Sequence, residues 1–253
     1  MTVNFEIRDR IAIITLNRPE ARNAVSQQLA EDLEAAIDRL EADDALWIGI
    51  LCGNGPAFCA GADLKAIASG EARLTTERGG FAGLVRRVRT KPLIAAVEGP
   101  AVAGGTEIVL SCDLVVASTT ARFGLPEVKR SLVANAGGLF RLPRALPTNV
   151  AMEMALTGDD LDAEAAHRHG LVNRLVQPGH ALATAVELAE AVNANAPLAV
   201  RASRRVVLAA RLLEDDEAFE VAANATREVF RTEDFREGPR AFVEKRSPIW
   251  TGR

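Results

Sequence analysis

The stretch KPLIAAVEGPAVAGGTEIVLSCDLVVASTTARFGLPEVKRSLVANAGGLFRL, residues 91 to 142, carries the pattern that decides the fold. The short apolar run from Leu93 to Val97 predicts a buried strand, which Gly99-Pro100 ends. Gly104-Gly105 then precedes an apolar segment typical of the first turns of a buried helix. A second apolar run, Leu114 to Ala117, predicts the next strand. This alternation predicts stacked β and α layers.

Two carboxylates lie inside this otherwise apolar and glycine-rich stretch, Glu107 and Glu127. Carboxylates seldom enter an apolar interior unless something there needs them. Paired glycines at a helix start let backbone N–H groups approach a ligand closely, and the helix dipole adds partial positive charge there. Gly104-Gly105 is therefore a candidate oxyanion-binding element, with Glu107 at the same mouth. The alternative is that the glycines only permit close helix–strand packing and that Glu107 is half-exposed.

The flanking segments extend the alternation of strands and helices. Toward the N-terminus, the pattern predicts a hairpin, a helix capped by Ser26, and a strand over Leu46 to Leu51. Apolar residues from Phe81 to Val88 lie at helical spacing and predict a helix before Thr90. Past Pro147 the chain is predicted to be mostly helical. The segments there are the helices Ala151 to Leu156, Ala163 to His169, Leu182 to Val192, Leu198 to Leu213, Glu217 to Phe230 and Phe235 to Arg246, with one strand, Leu171 to Val176.

Composition bounds the class of protein. A chain of 253 residues with 48% hydrophobic residues can bury a substantial core, and its net charge of −4 gives no argument for nucleic acid or an anionic membrane as partner. The sequence has no apolar run of about 18 residues and no signal-peptide pattern, so we expect no membrane span and a cytoplasmic location.

The cysteines and histidines suggest no metal or redox chemistry. Cys52, Cys59 and Cys112 are predicted to be reduced and space-filling, because their number is odd and they lie in apolar segments. A catalytic Cys59 would need a base, and no histidine lies near it in sequence. His167 and His169 do not share a helix face and make a poor metal pair. With no nucleotide-binding glycine motif either, we expect no metal and no nucleotide cofactor.

Further motifs occur in a fixed order around the opening stretch. They are Leu16-Asn17-Arg18-Pro19, Asn23-Ala24, Phe58 to Lys65, Lys91 to Glu107, Phe123 to Glu127, Ala136 to Gly138, Met152 to Gly158, Gly170 to Val172 and Glu233 to Arg246. In that order and at these spacings, the chain resembles the enoyl-CoA hydratase/isomerase (crotonase) family over essentially its whole length.

The resemblance implies a fold, a partner and an assembly. The expected fold is α/β, a crotonase-like spiral of ββα units over residues 1–195, followed by a C-terminal helical region over residues 196–253 that packs across a trimer. The expected partner is an acyl-CoA thioester, with the CoA entering as part of the substrate and no separate cofactor. A homotrimer or a dimer of trimers is the expected assembly.

The resemblance also implies catalytic residues. The backbone N–H groups of Ala62 and Gly104 would form an oxyanion hole for the thioester enolate, and Glu107 and Glu127 match the family's two acid/base glutamates. We expect Glu107 to act as the more water-directed base and Glu127 as the donor of the Cα proton. Two carboxylates in a poorly solvated pocket drive their pKa values apart, which allows one acid and one base near neutral pH.

Binding residues follow from the same resemblance. Asn23-Ala24 and the segment Ala60 to Lys65, which includes Asp63 and Leu64, would line the CoA groove, with Lys65 near the phosphates. Phe242 and Lys245 match C-terminal positions that contribute to CoA binding in relatives, often from a neighbouring subunit. The alternative for that pair is an amphipathic helix with Phe242 inward and Lys245 outward.

One departure from the family pattern follows Glu127. Ser131 to Gly138 replaces the usual glycine-rich run, and Asn135 takes the place of a glycine that helps to hold the water. Its amide could bind water or a substrate hydroxyl, or it could narrow the pocket.

We expect an enoyl-CoA hydratase in fatty-acid β-oxidation or related acyl-CoA metabolism. One alternative is an isomerase or a dehydratase of a functionalised acyl-CoA. Another is a catalytically idle crotonase-fold binding protein.

Overall fold

A computed structural model describes residues 1–64 and 73–253, and its largest layer is a six-stranded sheet. The strands of the chain are β1 (Val3–Arg8), β2 (Ile11–Leu16), β3 (Ile48–Gly53), β4 (Thr75–Thr76), β5 (Gly80–Phe81), β6 (Leu93–Val97), β7 (Pro100–Val102), β8 (Leu114–Ser118), β9 (Arg122–Gly124), β10 (Leu161–Asp162) and β11 (Arg174–Val176). The sheet order is β1-β2-β3-β6-β8-β11. Its first pair is antiparallel, as the predicted hairpin requires, and every later pair is parallel.

Both faces of this sheet are covered, which explains why its central strands are continuous apolar runs. Ile94 and Ala96 of β6 belong to the cluster formed with α6 (Ala181–Asn193). The alternate residues of the same strand, Leu93, Ala95 and Val97, lie in the larger core with α1 (Gln27–Ala42). The Ser26 side chain caps α1 by accepting a hydrogen bond from Leu29 N, as predicted.

A second, three-stranded sheet, β10-β9-β7, accompanies the first. Each of two consecutive units has a long strand in the large sheet, a short strand in the small sheet, and then a helix or a 3-10 turn. In the first unit β6 and β7 lead to α2 (Gly104–Val109), and in the second β8 and β9 lead to the 3-10 turn Pro126–Arg130. These units confirm the predicted crotonase-like ββα arrangement.

Helices dominate the C-terminal half, as predicted. Before α6 they are α3 (Gly138–Ala145), α4 (Thr148–Thr157) and α5 (Ala163–Arg168), and after it α7 (Pro197–Ala210), α8 (Asp215–Val229) and α9 (Glu233–Glu244). The predicted boundary between residues 195 and 196 falls at Ala196, the N-cap of α7. Within residues 1–64 and 73–253, no helix is long and apolar enough to cross a membrane.

Two local predictions are wrong. Residues 81 to 88 do not form a helix, because Phe81 ends β5 and the chain then turns through Ala82 (φ 55°) and Gly83 (φ 67°). These left-handed residues interrupt a right-handed helix, and a Cβ on Gly83 would lie 2.3 Å from Ala30 O of α1. The predicted strand from Leu171 is shorter and begins at Arg174.

Candidate functional site

A cavity of about 610 Å³ brings together the two glutamates and both predicted oxyanion donors. Four stretches of chain line it, namely residues 60–64, 73–81, 102–107 and 126–136. The lining residues are Ala60, Ala62, Leu64, Arg73, Leu74, Thr75, Phe81, Val102, Ala103, Gly104, Glu107, Pro126, Glu127, Arg130, Leu132, Val133, Ala134, Asn135 and Ala136.

The N–H groups of Ala62 and Gly104 donate no hydrogen bond to any described residue. For Ala62 the cause is a parallel bridge to Val25, in which Val25 N donates to the Gly61 carbonyl and Asp63 N donates to the Val25 carbonyl. For Gly104 the cause is its position at the start of α2, where no earlier turn supplies an acceptor. The two segments touch, since a Cβ on Gly61 would lie 3.0 Å from Gly104 N.

Ala103, the N-cap of α2, holds a strained conformation with φ 52° and ψ −129°. Such a residue costs about 1–3 kcal/mol, and residues of this kind cluster at functional sites. Its N–H donates to Gly124 O at 2.8 Å, and the buried Thr106 hydroxyl lies 2.7 Å from Ala101 O and 2.8 Å from Gly124 O. The small sheet therefore fixes the start of α2. Sequence reasoning missed Ala103 because an alanine side chain carries no sign of its backbone conformation.

Close packing also requires the paired glycines. A Cβ on Gly105 would lie 2.1 Å from Cys59 O, and one on Gly104 would lie 2.4 Å from Phe81 Cε1. The packing interpretation is therefore correct for Gly105. Gly104 requires the same close packing and also lines the cavity.

Glu107 is only 3% exposed, so the half-exposed alternative for this residue is wrong. Its Oε1 accepts a hydrogen bond of 2.9 Å from Gly138 N at the start of α3. Burial raises the pKa of Glu107, the hydrogen bond from Gly138 opposes that rise, and the charge of Glu127 adds to it. The carboxyl is thus held in place, and its ionisation is less favourable than that of a carboxyl in water.

Glu127 enters the cavity from the 3-10 turn Pro126–Arg130. Its Oε2 is buried and has no hydrogen-bond partner in the described part of the chain. Burial raises the pKa of Glu127 as well, and the nearby Arg130 charge partly opposes that rise. Two carboxyls that resist ionisation can exchange protons with a bound molecule near neutral pH.

The predicted CoA-groove residues separate into two groups. Ala60 and Leu64 line the cavity, with Leu64 49% exposed. Ala24 and Asp63 instead both bind the Arg18 guanidinium, which donates to Ala24 O at 2.6 Å and pairs with Asp63 Oδ2 at 3.2 Å. Lys65 lies outside the described residues.

Asn23, which was predicted with Ala24 to line the CoA groove, is instead fully buried and supports this region. The Asn23 side chain accepts from Arg18 N at 2.8 Å and donates to the Asn54 and Ala57 carbonyls at 2.9 and 2.8 Å. It thereby fixes the loop that leads to Ala60 and Ala62.

The remaining predicted binding residues are exposed. Asn135 lines the cavity with its side chain open to solvent. Phe242 of α9 is 85% exposed, and Lys245, which follows α9 in a left-handed conformation, is exposed too. Neither of these two lines the cavity, and the alternative with Phe242 inward is wrong.

The fold and cavity define a mixed α/β protein with a candidate acid/base site beside unpaired backbone donors. Residues 6–253 match the family described as enoyl-CoA hydratase/isomerase, and the chain belongs to this family.

Individual relatives match this chain over more than nine tenths of their length. An enoyl-CoA hydratase of Mycobacterium tuberculosis is 42% identical, over 98% of this chain and 96% of the relative. A mevalonyl-coenzyme A hydratase of Aspergillus fumigatus is 43% identical, over 95% and 91%. Among solved structures, a crystal structure of an enoyl-CoA hydratase from Mycobacterium tuberculosis is 51% identical and superposes with a TM-score of 0.96, over 100% of this chain and 99% of that chain.

Proposed function

We propose that this protein is an enoyl-CoA hydratase, a lyase that adds water across the double bond of a 2-enoyl-CoA thioester. The observation that carries the proposal is the pair of glutamates, Glu107 and Glu127, in one cavity with the unpaired N–H groups of Ala62 and Gly104. Family membership supplies the thioester as the compound class.

The two N–H groups would hold the thioester oxygen as negative charge develops on it. Fixed donors in a poorly hydrated site usually give the largest catalytic contribution, about 3–4 kcal/mol for one donor. The strain at Ala103 and the hydrogen bonds of Thr106 keep the Gly104 donor in place before substrate binds.

Glu107 would take a proton from the attacking water, and Glu127 would deliver a proton to Cα. Burial supports these roles because it raises the pKa of both carboxyls, so one can be protonated while the other is ionised. The hydrogen bond from Gly138 N stabilises the ionised form of Glu107 and favours that residue as the base. The two groups would titrate as a pair, since the charge of Glu127 raises the pKa of Glu107.

The CoA moiety would lie along Ala60, Leu64 and Lys65, with Ala24 and Asp63 shaping that wall through Arg18. Phe242 and Lys245 would complete the site of a neighbouring subunit in a trimer or a dimer of trimers, with residues 196–253 as the assembly region. The exposed Phe242 supports this part of the proposal, because a large apolar side chain left in solvent favours burial against another surface. A cytoplasmic location, no cofactor apart from the substrate, and a place in β-oxidation complete the proposal.

The second candidate is an isomerase or dehydratase of a functionalised acyl-CoA. The Asn135 amide in the cavity wall favours it, because it can bind a polar substituent, and one relative is named for mevalonyl-CoA. A catalytically idle binding protein is disfavoured, since both glutamates and both donors meet in one cavity.

The test is a panel of 2-enoyl-CoA and 3-hydroxyacyl-CoA esters followed in both directions with the parent protein, Glu127→Gln and an exposed control, Arg168→Gln. We expect hydration by the parent and the control, and a loss of about 10²–10⁴-fold in kcat for Glu127→Gln with ester binding retained. Full turnover by Glu127→Gln, or no hydration of any ester by the parent, would refute the proposal.

A further inference from the structure

The cavity contains a cation that the proposed mechanism does not use. Arg130 lines the cavity, is exposed to solvent, and makes no ion pair or hydrogen bond through its guanidinium with any described residue. The neighbouring Lys129 differs, because its ammonium pairs with Asp159 at 2.6 Å outside the cavity. The guanidinium of Arg130 is thus available to a ligand.

The local backbone directs Arg130 to the reacting end of the cavity. Glu127 and Arg130 are three residues apart in the 3-10 turn Pro126–Arg130, and side chains at this spacing in a 3-10 helix eclipse each other. Arg130 therefore projects on the same side as Glu127. The electrostatic effect of Arg130 on the Glu127 carboxyl agrees with this placement.

The surroundings of Arg130 indicate which part of a substrate it would contact. The wall from residue 126 to residue 136 faces the cavity with Leu132, Val133 and Ala134 beside Arg130. The proposed CoA wall, with Ala60 and Leu64, belongs to another stretch of chain. An acyl group beside Glu127 would therefore contact both apolar side chains and a guanidinium on this wall.

We infer that Arg130 is a specificity-determining residue that binds a carboxylate on the acyl group, so that the preferred substrates are 2-enoyl-CoA esters whose acyl group ends in a carboxylate. Guanidinium groups bind carboxylates through two parallel hydrogen bonds, which adds geometric selectivity. This inference rests on the proposed hydratase function and specifies its substrate class.

The experiment compares a series of 2-enoyl-CoA esters that end in a carboxylate with a methyl-ended series of the same chain lengths. The proteins are the parent, Arg130→Gln, Arg130→Lys and the control Arg168→Gln. We expect the parent to prefer the carboxylate series by about 10-fold in kcat/KM at its best chain length, the low end for a hydrogen bond to a charged group. Arg130→Gln should bring the ratio close to one, Arg130→Lys should keep part of the preference, and added salt should reduce it because Arg130 is exposed.

The ratio of kcat/KM on the carboxylate series to kcat/KM on the methyl-ended series distinguishes carboxylate binding by Arg130 from other roles of this residue. If Arg130 bound a CoA phosphate or only supported the fold, Arg130→Gln would lower kcat/KM on both series equally, and the inference would be wrong. Hydration of methyl-ended esters without a carboxylate preference in the parent would also overturn it, while the hydratase function would stand. If the parent hydrated neither series, both the inference and the proposed function would fail.

Discussion

Replacing Glu107 with glutamine should stabilise the folded protein while it removes most of the activity. The carboxyl is 3% exposed, and burial raises its pKa above the ordinary value of 4.5. Below that value Glu107 is protonated in both the folded and the unfolded chain, so it does not lower the free energy of unfolding. As the pH rises through the interval between the two pKa values, the unfolded chain ionises first and the folded state loses stability.

The size of the effect follows from linkage. Each pH unit in that interval costs the native state about 1.4 kcal/mol, which glutamine avoids because it has no charge. Glutamine keeps a carbonyl that can accept the 2.9 Å hydrogen bond from Gly138 N. For a chain of this length, 1 kcal/mol corresponds to about 2–4 °C in Tm. Loss of an acid/base group should lower kcat by about 10²–10⁴-fold, or roughly 3–5 kcal/mol in the barrier.

The assay is urea unfolding followed by circular dichroism, with the pH stepped from 4.5 to 8, beside kcat on the best ester. Glu153→Gln, on the exposed side of α4, is the matched control and should change neither quantity. The gain in stability of Glu107→Gln should be small at pH 4.5 and largest at pH 8. A variant that is less stable than the parent at pH 8, or whose gain grows toward low pH, would refute the reasoning about burial.

Three further changes test other parts of the structure. Gly105→Ala should lower the free energy of unfolding by about 1–3 kcal/mol, because its Cβ would lie 2.1 Å from Cys59 O, and unchanged urea midpoints would contradict this. Asn135→Gly should raise kcat/KM on short straight-chain esters relative to polar ones by up to about fivefold, since the exposed amide keeps its contact with water, and an equal loss on all esters would mean that Asn135 positions the water instead. Deletion of residues 233–253 should weaken both assembly and ester binding, and light scattering that shows unchanged mass together with unchanged affinity would exclude this role.

The parts of the fold that could be predicted from sequence are those in which the pattern of apolar residues fits only one type of secondary structure. The apolar run Leu93–Val97 is too short for a helix and matches β6. The buried Glu107 was also predictable, because a carboxylate among apolar residues needs a reason to be there. Phe81 to Val88 shows the limit, since apolar residues at helical spacing also suit a series of turns packed on α1, and left-handed angles at Ala82 leave no trace in the spacing.

The candidate site was harder to predict wherever it depends on distant contacts. Arg18 and Asp63 are 45 residues apart, and nothing in either local sequence indicates that they pair. Phe242 has the spacing of an inward residue, yet residues 1–64 and 73–253 supply no surface that covers it. Arg130 was out of reach of sequence reasoning, because its separation of three residues from Glu127 matters only once a 3-10 turn is assigned there.

The order of the large sheet has a consequence for the synthesis of this protein. The strands β1, β2, β3, β6, β8 and β11 lie side by side in the order in which the ribosome releases them. Each new strand can therefore pair with the edge left by the one before it, without displacing a strand already in place. The proposed catalytic site cannot be completed in this way until Gly138 has emerged, because its N–H holds Glu107. A nascent chain shorter than that has much of its sheet but lacks the hydrogen bond that holds the proposed base.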